Sequence, residues 1–283
     1  MTGEADWAPP GVDTRRANIA RVYDYWLGGS QNFLADQDLA RQIVAIEPSA
    51  REIARANRAF LGRAVRYLAG AGIRQFLDIG SGIPTQGNVH EVAGEASPGS
   101  RVLYADTDPV VIAHSQAILA GHPDAAIIRA DLRDPAAILA DPAVRRLIDV
   151  REPAGLLLVA VLHFLDDADD PWQIVATLLD ALAPGSYLVV SHATTDDRPE
   201  LARVVEKVYN GSVSGSWQFR PGAQIRRFFD GTDLVEPGLV PAYRWRPDPD
   251  AAGAEGLWGL LGGVGRKRGD APGNSGARRG GRP

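Results

Sequence analysis

The sequence predicts an α/β fold in which a mostly parallel sheet is wound with helices and preceded by a helical cap. Three observations carry that expectation. From Gln75 onward, apolar β-type runs alternate with helical patterns, as βαβ units require. Residues 154–162 are almost uniformly apolar, the mark of a central strand covered on both faces. Residues 14–72, before the first such run, carry helix-period patterning instead. With 283 residues, 45% of them hydrophobic, the chain can bury the core of one large domain.

The elements follow in order. Ser49-Ala50-Arg51-Glu52 matches a capping box, and Ile53, Asn57, Phe60, Leu61, Ala64 and Leu68 then share one helical face until Gly70 and Gly72 end it. Upstream lies Arg21-Val22-Tyr23-Asp24-Tyr25-Trp26-Leu27-Gly28-Gly29-Ser30-Gln31-Asn32-Phe33, a concentration of aromatics, glycines and amides unusual for a plain linker. Strands are expected at 75–80, 101–105, 126–130, 154–162 and 186–191. The runs 234–240 and 257–264 leave no room for a crossover helix, so they are expected to pair antiparallel through the turn-rich stretch 241–256. The expected division is a flexible N-terminus over 1–14, a helical cap over 15–72, a Rossmann-like core over 73–267 and a disordered basic tail over 268–283.

Composition removes several classes of function. The chain has no cysteine, which excludes disulfides, thiolate catalysis and cysteine-ligated metal sites. Residues 1–18 lack the apolar stretch of a signal peptide, and the longest apolar run, 154–165, is too short to span a bilayer. A cytoplasmic protein with no membrane partner is therefore expected. Net charge is −5, yet residues 266–283 are strongly basic, so the rest of the chain is more acidic than that figure. Such a body is a poor binder of nucleic acid, and only the basic tail is a place for weak contacts. The histidines show no metal-ligand spacing, so no metal is expected.

The chemistry-bearing motifs fall at strand ends. After the first run comes Asp78-Ile79-Gly80-Ser81-Gly82, a strand-to-helix turn whose glycines permit close approach by a ligand. No Gly-Lys-Ser/Thr follows, which rules out a phosphate loop, and Thr85 stands where a dinucleotide fingerprint needs its third glycine. A cationic ligand without phosphate, S-adenosylmethionine, suits that looser turn and its carboxylate better. The second run ends in Asp106-Thr107-Asp108-Pro109, where Asp106 can accept ribose hydroxyls and Asp108 caps the next helix. The third ends in Asp131-Leu132, a side chain and a backbone N–H able to read adenine. The fourth ends at His163, either a cofactor-lining or basic residue or a buried structural histidine. Asn88-Val89-His90-Glu91 reads as a capping box opening the helix after the glycine turn. Cofactor contacts are therefore expected from Asp78, Gly80, Ser81, Gly82, Asp106, Thr107, Asp131, Leu132 and His163.

Together these stretches resemble the actinobacterial S-adenosylmethionine-dependent methyltransferase family long catalogued as a domain of unknown function. The resemblance spans residues 15–267. It rests on the 21–33 cluster, on Ala56-Asn57-Arg58-Ala59-Phe60-Leu61, on 75–82 with Gly87-Asn88-Val89-His90-Glu91, and on Val161-Leu162-His163-Phe164. It continues through Gly185-Ser186-Tyr187-Leu188, Pro237-Gly238-Leu239-Val240 and Trp245-Arg246-Pro247-Asp248. It implies a class I methyltransferase sheet of order 3-2-1-4-5-7-6 with its last strand antiparallel. It also implies S-adenosylmethionine as cofactor, S-adenosylhomocysteine as product, and the roles given above for Asp78, Gly80, Gly82, Asp106 and Asp131.

Methyl transfer needs positioning and water exclusion more than acid–base chemistry. A small-molecule acceptor is expected under the cap, with Tyr23, Asp24, Tyr25, Asn32 and Asn57 as its walls and Tyr23, Asp24 and His163 as the candidate bases. Two other readings compete: a non-catalytic sensor of S-adenosylmethionine or S-adenosylhomocysteine, and an NAD(P)-dependent oxidoreductase, which Thr85 disfavours.

Overall fold

The computed structural model describes residues 8–84, 87–213, 215–249 and 256–269. Thr85, most of the basic tail and part of the 241–256 stretch lie outside them, as do residues 1–7 of the expected flexible N-terminus. Three helices come first: α1 (Ile19–Trp26), α2 (Leu34–Ile46) and α3 (Ala50–Gly70). The core then alternates β1 (Gln75–Ile79), α4 (Val89–Ala96), β2 (Arg101–Asp106), α5 (Pro109–Leu119) and β3 (Ala125–Arg129). It continues with α6 (Pro135–Ala140), α7 (Pro142–Leu147), β4 (Gly155–Val159), α8 (Pro171–Asp180), β5 (Tyr187–Ala193), α9 (Pro199–Ser212) and α10 (Gly222–Arg226). The short β6 (Thr232–Leu234) and β7 (Val240–Pro241) precede the long final strand β8 (Leu260–Lys267).

The strands form one sheet of order β3-β2-β1-β4-β5-β8-β6, with β7 on the flank of β8. The first five are mutually parallel, while β8 runs antiparallel to β5 and to β6. This is the class I methyltransferase order; β8 takes the place expected of a seventh strand because the two-residue β7 intervenes. The run 234–240 is not a single strand. Pro237 has no N–H for a ladder, and Gly238 turns the chain back with its N–H on the Val235 carbonyl at 2.8 Å. The fourth strand is also shorter than its apolar run: after Val159 the chain leaves the sheet at Ala160, whose φ is +56°.

Burial follows the sheet's two faces. β1 and β5 are buried along their whole lengths, as strands covered on both sides must be. One apolar core lies between β1, β4, β5 and the helices α6–α8, and a second lies between the sheet and α3. A third core, built on Val22, Trp26, Ile43, Val205 and Tyr209, joins α1 and α2 to α9 and stands apart from the sheet.

The expected face of α3 is buried at Asn57, Phe60, Leu61, Ala64 and Leu68, but its N-terminus differs from expectation. Ser49 makes no capping hydrogen bond; its backbone N–H and its hydroxyl both donate to the Glu47 carboxylate, a charged acceptor that outcompetes the helix end. Asn88 behaves as read, its N–H donating to Glu91 Oε2 at 2.8 Å. No helix among the described residues is long and apolar enough to cross a membrane.

Candidate active site

Parallel register brings the ends of β1, β2, β3 and β4 to one edge of the sheet, where ligands of open α/β folds bind. Gly80 hydrogen-bonds the Ala105 carbonyl at 2.8 Å and holds φ +72°. A Cβ there would sit 2.3 Å from Val161 Cγ2, so only glycine lets β1 and the end of β4 come this close. Gly82, at φ +66°, faces open space. Its N–H donates to Asp106 Oδ2 at 2.9 Å, while Asp106 Oδ1 accepts from Thr107 and Asp108 N–H at 2.7 and 3.0 Å. One carboxylate thus ties the glycine turn to the end of β2. Asp108 caps α5 as read, accepting from Val110 N–H at 2.6 Å.

Asp78 is 4% exposed, and burial drives its pKa up to about 7, with the Arg58 attraction opposing and the Asp106 charge adding to the rise. Burial likewise raises Asp106. Asp131 is exposed at the end of β3 beside the buried Leu132, its Oδ1 accepting from Arg133 N–H at 2.9 Å.

Past β4, His163 sits in a short 3-10 turn and is buried. The turn is held by Arg220, only 1% exposed, which donates to the carbonyls of Leu162 at 3.1 Å and Leu165 at 2.9 Å and to His192 Nε2 at 3.0 Å. Burial, reinforced by His192 and Arg220, pushes the His163 pKa well below its usual value, so the imidazole is neutral and weakly basic.

These residues border a single cavity of ≈ 490 Å³. Asp78, Gly80, Ser81, Gly82, Asp106, Thr107, Asp131, Leu132, His163, Tyr23 and Asn57 all line it. Tyr23 donates to the Ala54 carbonyl at 2.9 Å and accepts from Asn57 Nδ2 at 3.0 Å. Asn57 Oδ1 in turn accepts from Ser191 Oγ at 2.6 Å, and Ser191 Oγ accepts from Ala160 N–H at 2.9 Å. This buried chain links α1, α3 and β5 to the strained turn after β4. Burial raises the Tyr23 pKa, so its phenol stays protonated with the proton committed to a carbonyl.

Asp24, Tyr25 and Asn32 do not reach the cavity lining. Tyr23 and Trp26, three apart on α1, share its cavity-facing stripe, and helical phase turns Asp24 and Tyr25 elsewhere. Asp24 instead organises the turn after α1, accepting from Gln31 N–H at 2.9 Å and Asn32 Nδ2 at 2.8 Å. A Cβ on Gly29 would fall inside that carboxylate. Tyr25 lies under the Arg51 guanidinium, 5.6 Å from its ring centre. Conversely, Glu47, Tyr209, Trp217 and Trp258, which no sequence motif marks, line the cavity, as does Arg58 from the Ala56–Leu61 stretch. The one hint is the aromatic density of Tyr209 and Ser216-Trp217-Gln218-Phe219.

The sequence profile of the S-adenosyl methyltransferase family matches residues 5–268. The chain belongs to that family. Its similarity extends to solved structures. A protein from Thermobifida fusca YX, provisionally named a methyltransferase, is 43% identical with TM-score 0.86, covering 93% of this chain and 100% of its own. A DUF574 family protein from Streptomyces avermitilis MA-4680 is 41% identical with TM-score 0.85, covering 90% of this chain and 99% of its own. An O-methyltransferase family protein from Burkholderia thailandensis, 15% identical with TM-score 0.52, covers 86% of this chain and 66% of its own and shares the fold. No curated protein matches the sequence.

As a member of this family, the chain is an S-adenosylmethionine-dependent methyltransferase. The donor set fits that cofactor. The cavity edge presents carboxylates and an open glycine cradle at Gly82, and Ser81 Oγ is buried there without a hydrogen-bond partner among the described residues. Acceptors of this kind suit an ammonium group, a ribose diol and an adenine amine rather than a phosphate.

Proposed function

We propose that this methyltransferase acts on a small molecule enclosed between the helical cap and the carboxyl edge of the sheet. The carrying observation is the continuity of the cavity, which runs from Asp78, Asp106 and Asp131 to an aromatic-walled space under α1, α2 and α9. At ≈ 490 Å³ it falls within the range of about 300–1,000 Å³ typical of ligand pockets.

When bound, S-adenosylmethionine supplies a methyl group activated by the positive sulfonium. Asp106 would receive the ribose hydroxyls, Asp131 with the Leu132 N–H the adenine edge, and Asp78 with the Gly80–Gly82 turn the amino-acid end. Thr107 and His163 flank the same space. The chain's contribution is then to orient and to exclude water rather than to move protons: Tyr23 and His163 are both neutral, and neither is a strong base. A weakly acidic acceptor would lose its proton to solvent or to a second group on the acceptor itself.

The test is calorimetry followed by turnover on acceptor panels. S-adenosylhomocysteine should bind, and Asp106→Ala should weaken it by about tenfold or more, roughly 1.4 kcal/mol, with the fold retained. Unchanged binding in that variant would remove the ribose assignment. Methylation of oligonucleotides or protein substrates in place of small molecules would overturn the enclosed-acceptor reading.

A further inference from the structure

At its cap end the cavity is a chamber walled by Trp26, Ile43, Val205, Val213, Trp217 and Trp258. Tyr209, on the cavity side of α9, is 1% exposed, and its hydroxyl makes no hydrogen bond among the described residues. That oxygen is not sealed from the cavity, whereas Nε1 of the neighbouring Trp217 is buried without a hydrogen-bond partner among the described residues.

The ring is also held in place. Trp217 stacks on it face to face, with ring centres 4.1 Å apart and planes at 4°. Trp217 is latched to α9 through Asn210, whose Oδ1 accepts from its N–H at 2.7 Å and whose Nδ2 donates to its carbonyl at 3.2 Å. Gln218 N–H on the His163 carbonyl at 2.8 Å fixes the same strap to the turn after β4. A cavity-lining hydroxyl with no protein partner among the described residues, on a preorganised ring, can hydrogen-bond a ligand without giving up a contact of its own.

The chamber's charged groups already hold partners: Arg16 donates to the Val213 carbonyl at 3.1 Å. Glu47 accepts from Ser49 through one oxygen and from Trp258 Nε1 through the other, and Arg21 lies 3.7 Å from Asp36 and 3.5 Å from Asp108. An anionic acceptor would have to displace these partners to reach Arg16 or Arg21. A cationic one would also share the enclosure with the cofactor's sulfonium.

We infer that the acceptor is a neutral, largely apolar, ring-bearing molecule with an oxygen that hydrogen-bonds to Tyr209, which sets acceptor specificity while Trp217 positions it. This rests on the enclosed small-molecule reading above.

The test is equilibrium binding to the full chain saturated with S-adenosylhomocysteine, with naphthalene, 2-naphthol, 2-naphthoate and 2-naphthylmethylammonium as probes of one ring size. 2-Naphthol should bind the tightest, about tenfold or more above naphthalene. Tyr209→Phe should abolish that preference, leave naphthalene and S-adenosylhomocysteine binding unchanged, and fail to lower the melting temperature, because the hydroxyl it removes has no hydrogen-bond partner among the described residues. Equal affinity for naphthol and naphthalene, or tightest binding of either charged probe, would overturn the inference. So would a Tyr209→Phe protein that melts lower yet keeps the naphthol preference, the outcome of a structural role. Failure of S-adenosylhomocysteine to bind the unaltered chain would strike the cavity assignment instead, and the inference with it.

Discussion

Asp78 concentrates the electrostatics of the site in one side chain. Its carboxyl is held near neutrality because burial opposes the charge, Asp106 repels it and Arg58 offsets only part of both. For the free protein the sign is set by a folded pKa of about 7 lying above the ordinary carboxylate value of 3.8. The stability that Asp78 contributes is present below the lower value and lost as pH rises through the higher one. A positively charged ligand group favours the ionised form, so cofactor affinity runs the opposite way. S-adenosylhomocysteine binding should strengthen between about pH 6 and pH 8, and Asp78→Asn should flatten that profile while raising the melting temperature of the free protein more at pH 8 than at pH 5. Calorimetry and thermal melts across that range check both, and a wild-type profile as flat as that of Asp78→Asn would refute the assignment. The same residue scale shows how much of the site a linear reading can reach. Asp78, Gly80, Gly82, Asp106 and Asp131 were legible because each sits at a strand end, where local turn chemistry and sheet order fix its place.

At the scale of elements, the turn after β1 and the turn after β4 are one device. Gly80 is forced to be glycine by its φ of +72° and by Val161 on the neighbouring turn, where Ala160 carries a φ of +56°. Gly80→Val should therefore destabilise the fold as well as weaken cofactor binding. Left-handed strain costs about 1–2 kcal/mol and overpacking about 1–3 kcal/mol. In Gly80→Ala, the added substitution Val161→Ala should recover only part of the packing cost, because Val161 Cβ would still lie 2.7 Å from the new methyl, and leave the backbone strain. Denaturant unfolding of the single and double variants measures that part, and no recovery would mean that the Val161 γ-methyls are not the obstacle. Helical phase governs the cap in the same way. Tyr23 and Asn57 reach the cavity, whereas Asp24, Tyr25 and Asn32 satisfy one another or α3. The unusual composition of 21–33 was visible in the sequence, but which of its faces would meet the cavity depended on partners far away in the chain.

Across the whole molecule, the cap is fastened to the core through Arg21. The side chain is 4% exposed, donates to the Asp13 and Arg16 carbonyls, and stands between Asp36 of α2 and Asp108 at the start of α5. Breaking such a buried cluster on one side leaves carboxylates without their counter-ion, at a cost of about 3–5 kcal/mol. Arg21→Met should lower stability on that scale and expose the amides of α1 and α2 to exchange ahead of the sheet. Uniform exchange in both regions would show that the cap and core do not rely on this contact. The same cap, with α9 and the strap through Trp217, turns an open sheet edge into a walled cavity.

The strand-end turn with its Gly80 and Gly82, the ordered carboxylates and the helical cap were all present in residue order, since each depends on neighbours within a few positions or on one helical period. From them, and from the resemblance they carry, the fold and the cofactor could be read. The acceptor chamber was decided only in three dimensions. Glu47, the Tyr209–Trp217 segment and Trp258 lie far apart in the chain and form no motif, and they meet because α2, α9 and the start of β8 pack around the same space. Whether Tyr209 has a hydrogen-bond partner is a property of that packing, and no spacing of residues along the chain encodes it.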